Sequence, residues 1–133
     1  MIVVDTSVWI DYFNGIDSRQ TVLLDDLLGE RPLLMGDLIL AELLQGFDHE
    51  SDARRVLELL EPLECVAMVG RDVALESARN FRRLRRRGAT VRKTMDMLIG
   101  TWCLMNDCEL LHADRDFTVM QQHLGLRVPE YRS

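Results

Sequence analysis

This chain is poor in the residues that staple a fold, bind soft metals or span a bilayer. Its cysteines are only Cys65, Cys103 and Cys108, an odd number with no Cys-x-x-Cys pair. That argues against a disulfide framework and a zinc site and for buried, inert thiols. His49, His112 and His123 share neither a helix face nor a metal-ligand spacing. There is no internal repeat, low-complexity tract or linker. No apolar run reaches the roughly 18 residues of a membrane span. The first residues lack a basic start and reach Asp5 almost at once, so no secretory leader is expected and a cytoplasmic location is. A positive balance is missing too: the net charge is −6, which does not advertise a nucleic-acid binder.

What the chain does have is a normal globular balance, 47% apolar and 29% charged over 133 residues. That composition suits one folded domain, residues 1–133, with a core that needs no staples. Its positive charge is concentrated: Arg79, Arg82, Arg83, Arg85, Arg86, Arg87, Arg92 and Lys93 fall in one stretch. Such a run is a solvated helix face or a phosphate-contacting surface. Acidic residues that bind cations would be neutralised, so the formal charge understates how well the protein could hold an anion.

Short apolar runs alternate with amphipathic segments. Strands are expected at residues 1–5, 32–35, 63–68, 108–112 and 126–128, being short and rich in apolar or β-branched residues. Helices are expected at 6–13, from a Ser18 cap to 28, at 36–44, at 50–60, from an Asp72 cap to 87, at 94–105 and at 114–123. Strands alternating with helices imply an α/β fold: a central parallel sheet of four to five short strands flanked by helices. Ligands in such sheets bind beyond the carboxyl ends of the strands. Asp5 and Asp114 both fall at that position.

Five carboxylates occupy places a globular domain normally avoids. Asp5 ends the run Ile2-Val3-Val4, and Asp114 and Asp116 follow Leu110-Leu111. Glu42 lies among Leu38, Ile39 and Leu43, and Asp96 shares a helix face with Ile99 and Cys103. Each has a mundane explanation. Asp5 or Thr6 can cap the first helix and Asp114 the last; Asp96 and Asp116 can serve a helix dipole; Glu42 can pair with a buried Arg. But Glu42 is well inside its helix, where the dipole does not reach, and both it and Asp96 point inward by spacing. Like charges brought together need a neutralising cation. Carboxylate oxygens without matching His or Cys favour Mg²⁺ or Mn²⁺, which suits phosphoryl chemistry.

The residues also resemble a known family. Ile2-Val3-Val4-Asp5-Thr6-Ser7-Val8-Trp9-Ile10 looks like the opening of a PIN-domain nuclease. Gly36-Asp37-Leu38-Ile39-Leu40-Ala41-Glu42-Leu43-Leu44-Gln45-Gly46 and Thr94-Met95-Asp96-Met97-Leu98-Ile99-Gly100 resemble its second and third motifs. Leu110-Leu111-His112-Ala113-Asp114-Arg115-Asp116-Phe117 resembles the fourth. The likeness covers nearly the whole chain in order, and within the family it points to the VapC toxins of bacterial toxin–antitoxin pairs.

That resemblance implies a metal-dependent endoribonuclease that leaves 5′-phosphate and 3′-hydroxyl ends. It implies Asp5, Glu42, Asp96 and Asp114 as the acidic ligands, with Asp116 acting as a ligand, through water or by holding Arg115. Thr6 and Ser7 match the polar positions that support the first Asp. His112 stands where many relatives have Thr or Ser and is expected to support the ligands rather than join them. Arg85, Arg86, Arg92, Lys93 and Arg115 are the candidate RNA contacts. A VapB-type antitoxin masking the acidic pocket and a homodimer are also implied, with Trp9, Tyr12 and Phe13 as apolar surface or core. Two other classes stay open. A haloacid-dehalogenase-like phosphotransferase also starts from a strand-end Asp but needs a second Asp where Ser7 stands. A non-catalytic binding module would use the same acids merely as dispersed caps.

Overall fold

The computed structural model describes residues 1–131 and is a single α/β domain. Its elements are β1 (Ile2–Val4), α1 (Thr6–Phe13), α2 (Arg19–Leu27), β2 (Leu33–Gly36), α3 (Asp37–Gln45), α4 (Glu50–Leu60), β3 (Glu64–Val66), α5 (Arg71–Arg86), α6 (Thr94–Met105), β4 (Glu109–Leu111) and α7 (Arg115–Leu124). The four strands form one sheet in the order β3-β2-β1-β4, and every pairing is parallel.

The strands that sit centrally are the ones with no polar side chain to hide. Ile2, Val3 and Val4 are wholly buried, and Leu33, Leu34 and Met35 nearly so. Runs apolar on both faces are what a helix-covered parallel sheet requires. β3 is an edge strand, with Glu64 and Cys65 exposed. Exposure of Cys65 corrects the expectation of three buried thiols, which holds only for Cys103 and Cys108. β3 ends the sheet, so Cys65 pairs with Met35 on one side only and its side chain is left exposed.

Local signals explain most helix ends. Ser18 starts α2 with a capping box, its hydroxyl accepting from the Thr21 N–H at 3.1 Å while Thr21 returns to the Ser18 N–H at 2.9 Å. Gly125 ends α7 at φ 77°, a left-handed position that costs glycine little. Asp72 is not the cap of α5. Gly70 takes that place, at φ 151°, and Asp72 falls in the first turn.

The expected strand at residues 126–128 does not form. Leu110 donates its N–H to the Arg127 carbonyl at 2.9 Å, and Pro129 follows shortly after without an N–H to extend a ladder. The segment still crosses β4, and Leu126 is buried against the core.

Chain order places the site. From β1 the sheet grows one way through β2 and β3 and the other way to β4. The direction reverses between β1 and β4, which opens a crevice beyond their carboxyl ends. Asp5 and Asp114 follow those two strands. On the far side of the crevice α6 packs against α5, α7 and β4. Gly100 allows the close approach of α7, because a Cβ there would run into the Met120 side chain.

Candidate metal centre

The five acids come from four segments, Asp114 and Asp116 sharing the start of α7. Asp5 is the N-cap of α1: its Oδ2 accepts from the Ser7 N–H at 3.0 Å and the Ser7 hydroxyl at 2.6 Å. Ser7 Oγ also accepts from the Ala113 N–H at 3.1 Å, so one hydroxyl ties the end of β1 to the loop after β4. Asp114 is the N-cap of α7, its Oδ1 accepting from the Asp116 N–H at 2.9 Å. The capping explanation is therefore correct for both residues, yet capping leaves Asp114 Oδ2 free to face Lys93, whose Nζ lies 3.7 Å away.

Asp96, in the first turn of α6, is only 3% exposed although nothing caps it. Its Oδ2 is buried with no hydrogen-bond partner among the described residues, and the Asp116 carboxyl is the neighbour within hydrogen-bonding reach of this side chain. Asp116, in the first turn of α7, is also buried. One carboxylate oxygen from each of Asp96, Asp114 and Asp116 lies within 4.8 Å of the others. Glu42 stands at the half-buried rim, within α3, and accepts from the Thr6 hydroxyl at 3.0 Å. Thr6 divides its groups: its backbone hydrogen-bonds Asp5 while its hydroxyl serves Glu42, and the hydroxyl bonded to Asp5 is that of Ser7. Glu42 does not pair with a buried arginine: its hydrogen-bond partner is a threonine.

The electrostatics follow from this crowding. Burial raises the Asp96 carboxyl to about 8, and the charges of Asp5 and Asp114 and the adjoining Asp116 push the same way. Burial also raises Asp5, with Asp114 adding to the effect and the Ser7 hydrogen bonds opposing it. Glu42 is raised by burial, opposed by Thr6 and Lys93 and reinforced by Asp5 and Asp114. Carboxyls raised by burial and by one another's charge, one with an orphaned oxygen, form a set that a cation would complete. Every donor is a hard oxygen, so a divalent ion of the magnesium or manganese kind fits.

His112 is buried, and burial lowers its pKa. Its Nδ1 accepts from the Asp114 N–H at 3.2 Å, and Nε2 lies 2.6 Å from Gln121 Oε1. With Nδ1 accepting, the proton belongs on Nε2, which donates to Gln121. Both ring nitrogens are thus occupied within the protein. Gln121 escaped the sequence reading because its partner lies nine residues away across the β4–α7 junction; a polar residue on the inward face of α7 was the available signal.

The candidate RNA contacts divide. Arg92 and Arg115 line a cleft of about 370 Å³ that Asp116 also lines. Lys93 faces Asp114 directly. Arg85 and Arg86 lie in the exposed last turn of α5 and line no part of that cleft. The Arg85 guanidinium sits 5.8 Å over the Phe81 ring of its own helix. Trp9 is buried, whereas Tyr12 and Phe13 pack against it half-exposed.

The PIN domain family model matches residues 2–122. This chain belongs to the PIN-domain family. Ribonuclease VapC11 of Mycobacterium tuberculosis is 29% identical to this PIN domain over 137 residues, covering 99% of this chain and 100% of its own. A VapC ribonuclease of Mycobacterium bovis matches with the same identity and coverage. Among solved structures, VapBC2 from Rickettsia felis, bound to a promoter DNA fragment, superposes with TM-score 0.77 at 16% identity, covering 99% of this chain and 100% of that one. VapBC-1 from nontypeable Haemophilus influenzae does so with TM-score 0.73 at 20% identity, covering 98% of both chains. These structural likenesses carry the fold. No helix among the described residues is long and apolar enough to cross a membrane.

Proposed function

We propose that this PIN domain, spanning residues 1–133, is a cytoplasmic, divalent-metal-dependent endoribonuclease and the toxin of a type II toxin–antitoxin pair. The observation that carries the reading is the cluster of carboxylate oxygens from Asp96, Asp114 and Asp116, with Asp96 Oδ2 buried and unpartnered among the described residues and Asp5 and Glu42 coupled by charge to the same group. A non-catalytic module would have no cause to gather charges that raise one another's pKa. A haloacid-dehalogenase-like phosphotransferase needs a second Asp where Ser7 stands, and the Ser7 hydroxyl is already committed to Asp5. The VapC ribonucleases that align along the whole chain support RNA as the substrate.

In this reading Asp5, Asp96, Asp114 and Asp116 would hold Mg²⁺ or Mn²⁺, with Glu42 completing the acidic set at the rim. A bound ion supplies Lewis acidity, stabilising phosphate charge and lowering the pKa of water. Ser7 fixes the Asp5 carboxylate, and His112 fixes the backbone at Asp114. Glu42, raised by its surroundings and half-buried at the rim, is placed to take a proton from the attacking water. Arg92 and Arg115 hold the RNA backbone beside Asp116, and Lys93 exchanges its contact with Asp114 for a phosphate. Arg85 and Arg86 would contribute only to the outer field.

The partner proposed is a VapB-type antitoxin, supported by the fold likeness to chains solved within VapBC assemblies. An arginine from such a partner would find a ready receptor in the carboxylates, and Tyr12 and Phe13 offer half-exposed aromatic surface nearby on α1. A homodimer is proposed as well, symmetric pairs being the commonest assembly. Co-expression with a short upstream gene product, then size measurement and an RNA cleavage assay, tests these claims together. A cleaving dimer that the partner silences is expected. A monomer that remains fully active beside that product would overturn them.

A further inference from the structure

A second cavity, of about 480 Å³, opens beside Asp114 between the start of α2, one side of α7 and the segment that follows it. Hydrogen bonding fixes the chemistry of part of its wall. The Asp114 N–H donates to His112 Nδ1, so the imidazole proton lies on Nε2 and is given to Gln121 Oε1. The Gln121 amide is thereby oriented. Its carbonyl oxygen is used, and its NH₂ is left without an acceptor among the described residues. Gln121 lines the cavity, so what it can offer there is a donor. Arg115 stands between two cavities, lining both this one and the cleft beside Asp116, and its several N–H donors can serve a phosphate on one side and a base edge on the other. Opposite in kind is a flat stacking element: the charged Arg19 guanidinium lies 4.2 Å over the Tyr131 ring, and both residues line the cavity.

A stacking plane and two donors next to a phosphate-cleaving centre are the parts of a base-reading pocket. Unpaired bases stack on aromatic rings and on guanidinium planes. Of the four bases, guanine presents two adjacent acceptors, O6 and N7, on one edge, matching paired donors. We propose that this cavity is a nucleobase subsite flanking the scissile phosphate and that it takes guanine in preference to the other bases. It rests on the ribonuclease reading above.

Two variants isolate it. Gln121→Glu keeps an oxygen for His112 but exchanges the amide donor for a carboxylate, and Tyr131→Ala removes the stacking plane. Metal-loaded wild type and both variants are given random-sequence RNA, and the fragment ends are sequenced. In parallel, fluorescence anisotropy follows RNA oligomers with a single central G, A, C or U binding to each protein in an Asp5→Asn background with Mg²⁺. Wild type should cut beside guanine and bind the G oligomer about tenfold more tightly, a preference both variants lose. If wild type cleaves RNA but the variants keep its base preference, the subsite is wrong and the ribonuclease reading stands. If wild type cleaves nothing yet the variants lose a preference for the G oligomer, the subsite stands and the ribonuclease reading fails. Absence of both cleavage and preference overturns both.

Discussion

Removing one charge from the acidic cluster should make the metal-free protein more stable, and by an amount that grows with pH. Asp96 is the residue to change, because its carboxyl is pushed from 3.8 to about 8, first by burial and then by Asp5 and Asp114. A folded pKa above the unfolded one means the folded state holds its proton more tightly. The favourable contribution is complete below about pH 4 and is lost as the pH rises to about 8. A shift of about four units at 1.36 kcal/mol each corresponds to a loss on the order of 5 kcal/mol by pH 8. Asn keeps the shape, carries no charge and offers its NH₂ to the neighbouring carboxylates. Urea unfolding of Asp96→Asn and wild type in EDTA, from pH 4 to pH 8, reads the difference. The two stabilities should meet near pH 4, and the variant should lead by about 3–5 kcal/mol at pH 8. Added Mn²⁺ should restore the wild type far more than the variant. Parallel stability curves across that range would refute the claim that Asp96 is held against its charge.

Three further outcomes are expected. Asp5→Asn should abolish RNA cleavage while far-UV circular dichroism and unfolding remain native-like, since Asn can still accept the Ser7 hydrogen bonds. Ser7→Ala removes the hydroxyl that joins Asp5 to Ala113 and should lower metal affinity or cleavage about 10–100-fold, measured by metal titration beside the nuclease assay. Arg92→Ala with Lys93→Ala should weaken RNA binding and flatten its dependence on salt by roughly one to two counterions, read from the slope of log affinity against log salt; an unchanged slope would make both residues solvated surface.

The sequence made the acids legible because a carboxylate in an apolar run is costly wherever it occurs, and that cost can be read without coordinates. The strand-end positions of Asp5 and Asp114 and the inward spacing of Glu42 and Asp96 sufficed to expect one site. Partner assignments were not legible. Thr6 and Ser7 are adjacent, and which hydroxyl serves Asp5 and which serves Glu42 depends on how α1 leaves β1 and faces α3. Gln121 reaches His112 only because α7 folds back beside β4. The apolar pattern at residues 126–128 suggested a strand, but pairing depends on neighbours, and a single backbone bond to Leu110 does not make a ladder. Exposure of Cys65 depends on β3 being the edge of the sheet, an order that sequence pattern alone does not set.

The most direct measurement is cleavage of RNA by protein stripped of metal and then resupplied with Mg²⁺ or Mn²⁺, with the ends of the fragments identified. Cleavage should be absent in EDTA, return with either ion, disappear in Asp5→Asn and leave 5′-phosphate and 3′-hydroxyl ends. Undiminished cleavage in EDTA, or fragments ending in 2′,3′-cyclic phosphate, would contradict hydrolysis at the carboxylate cluster.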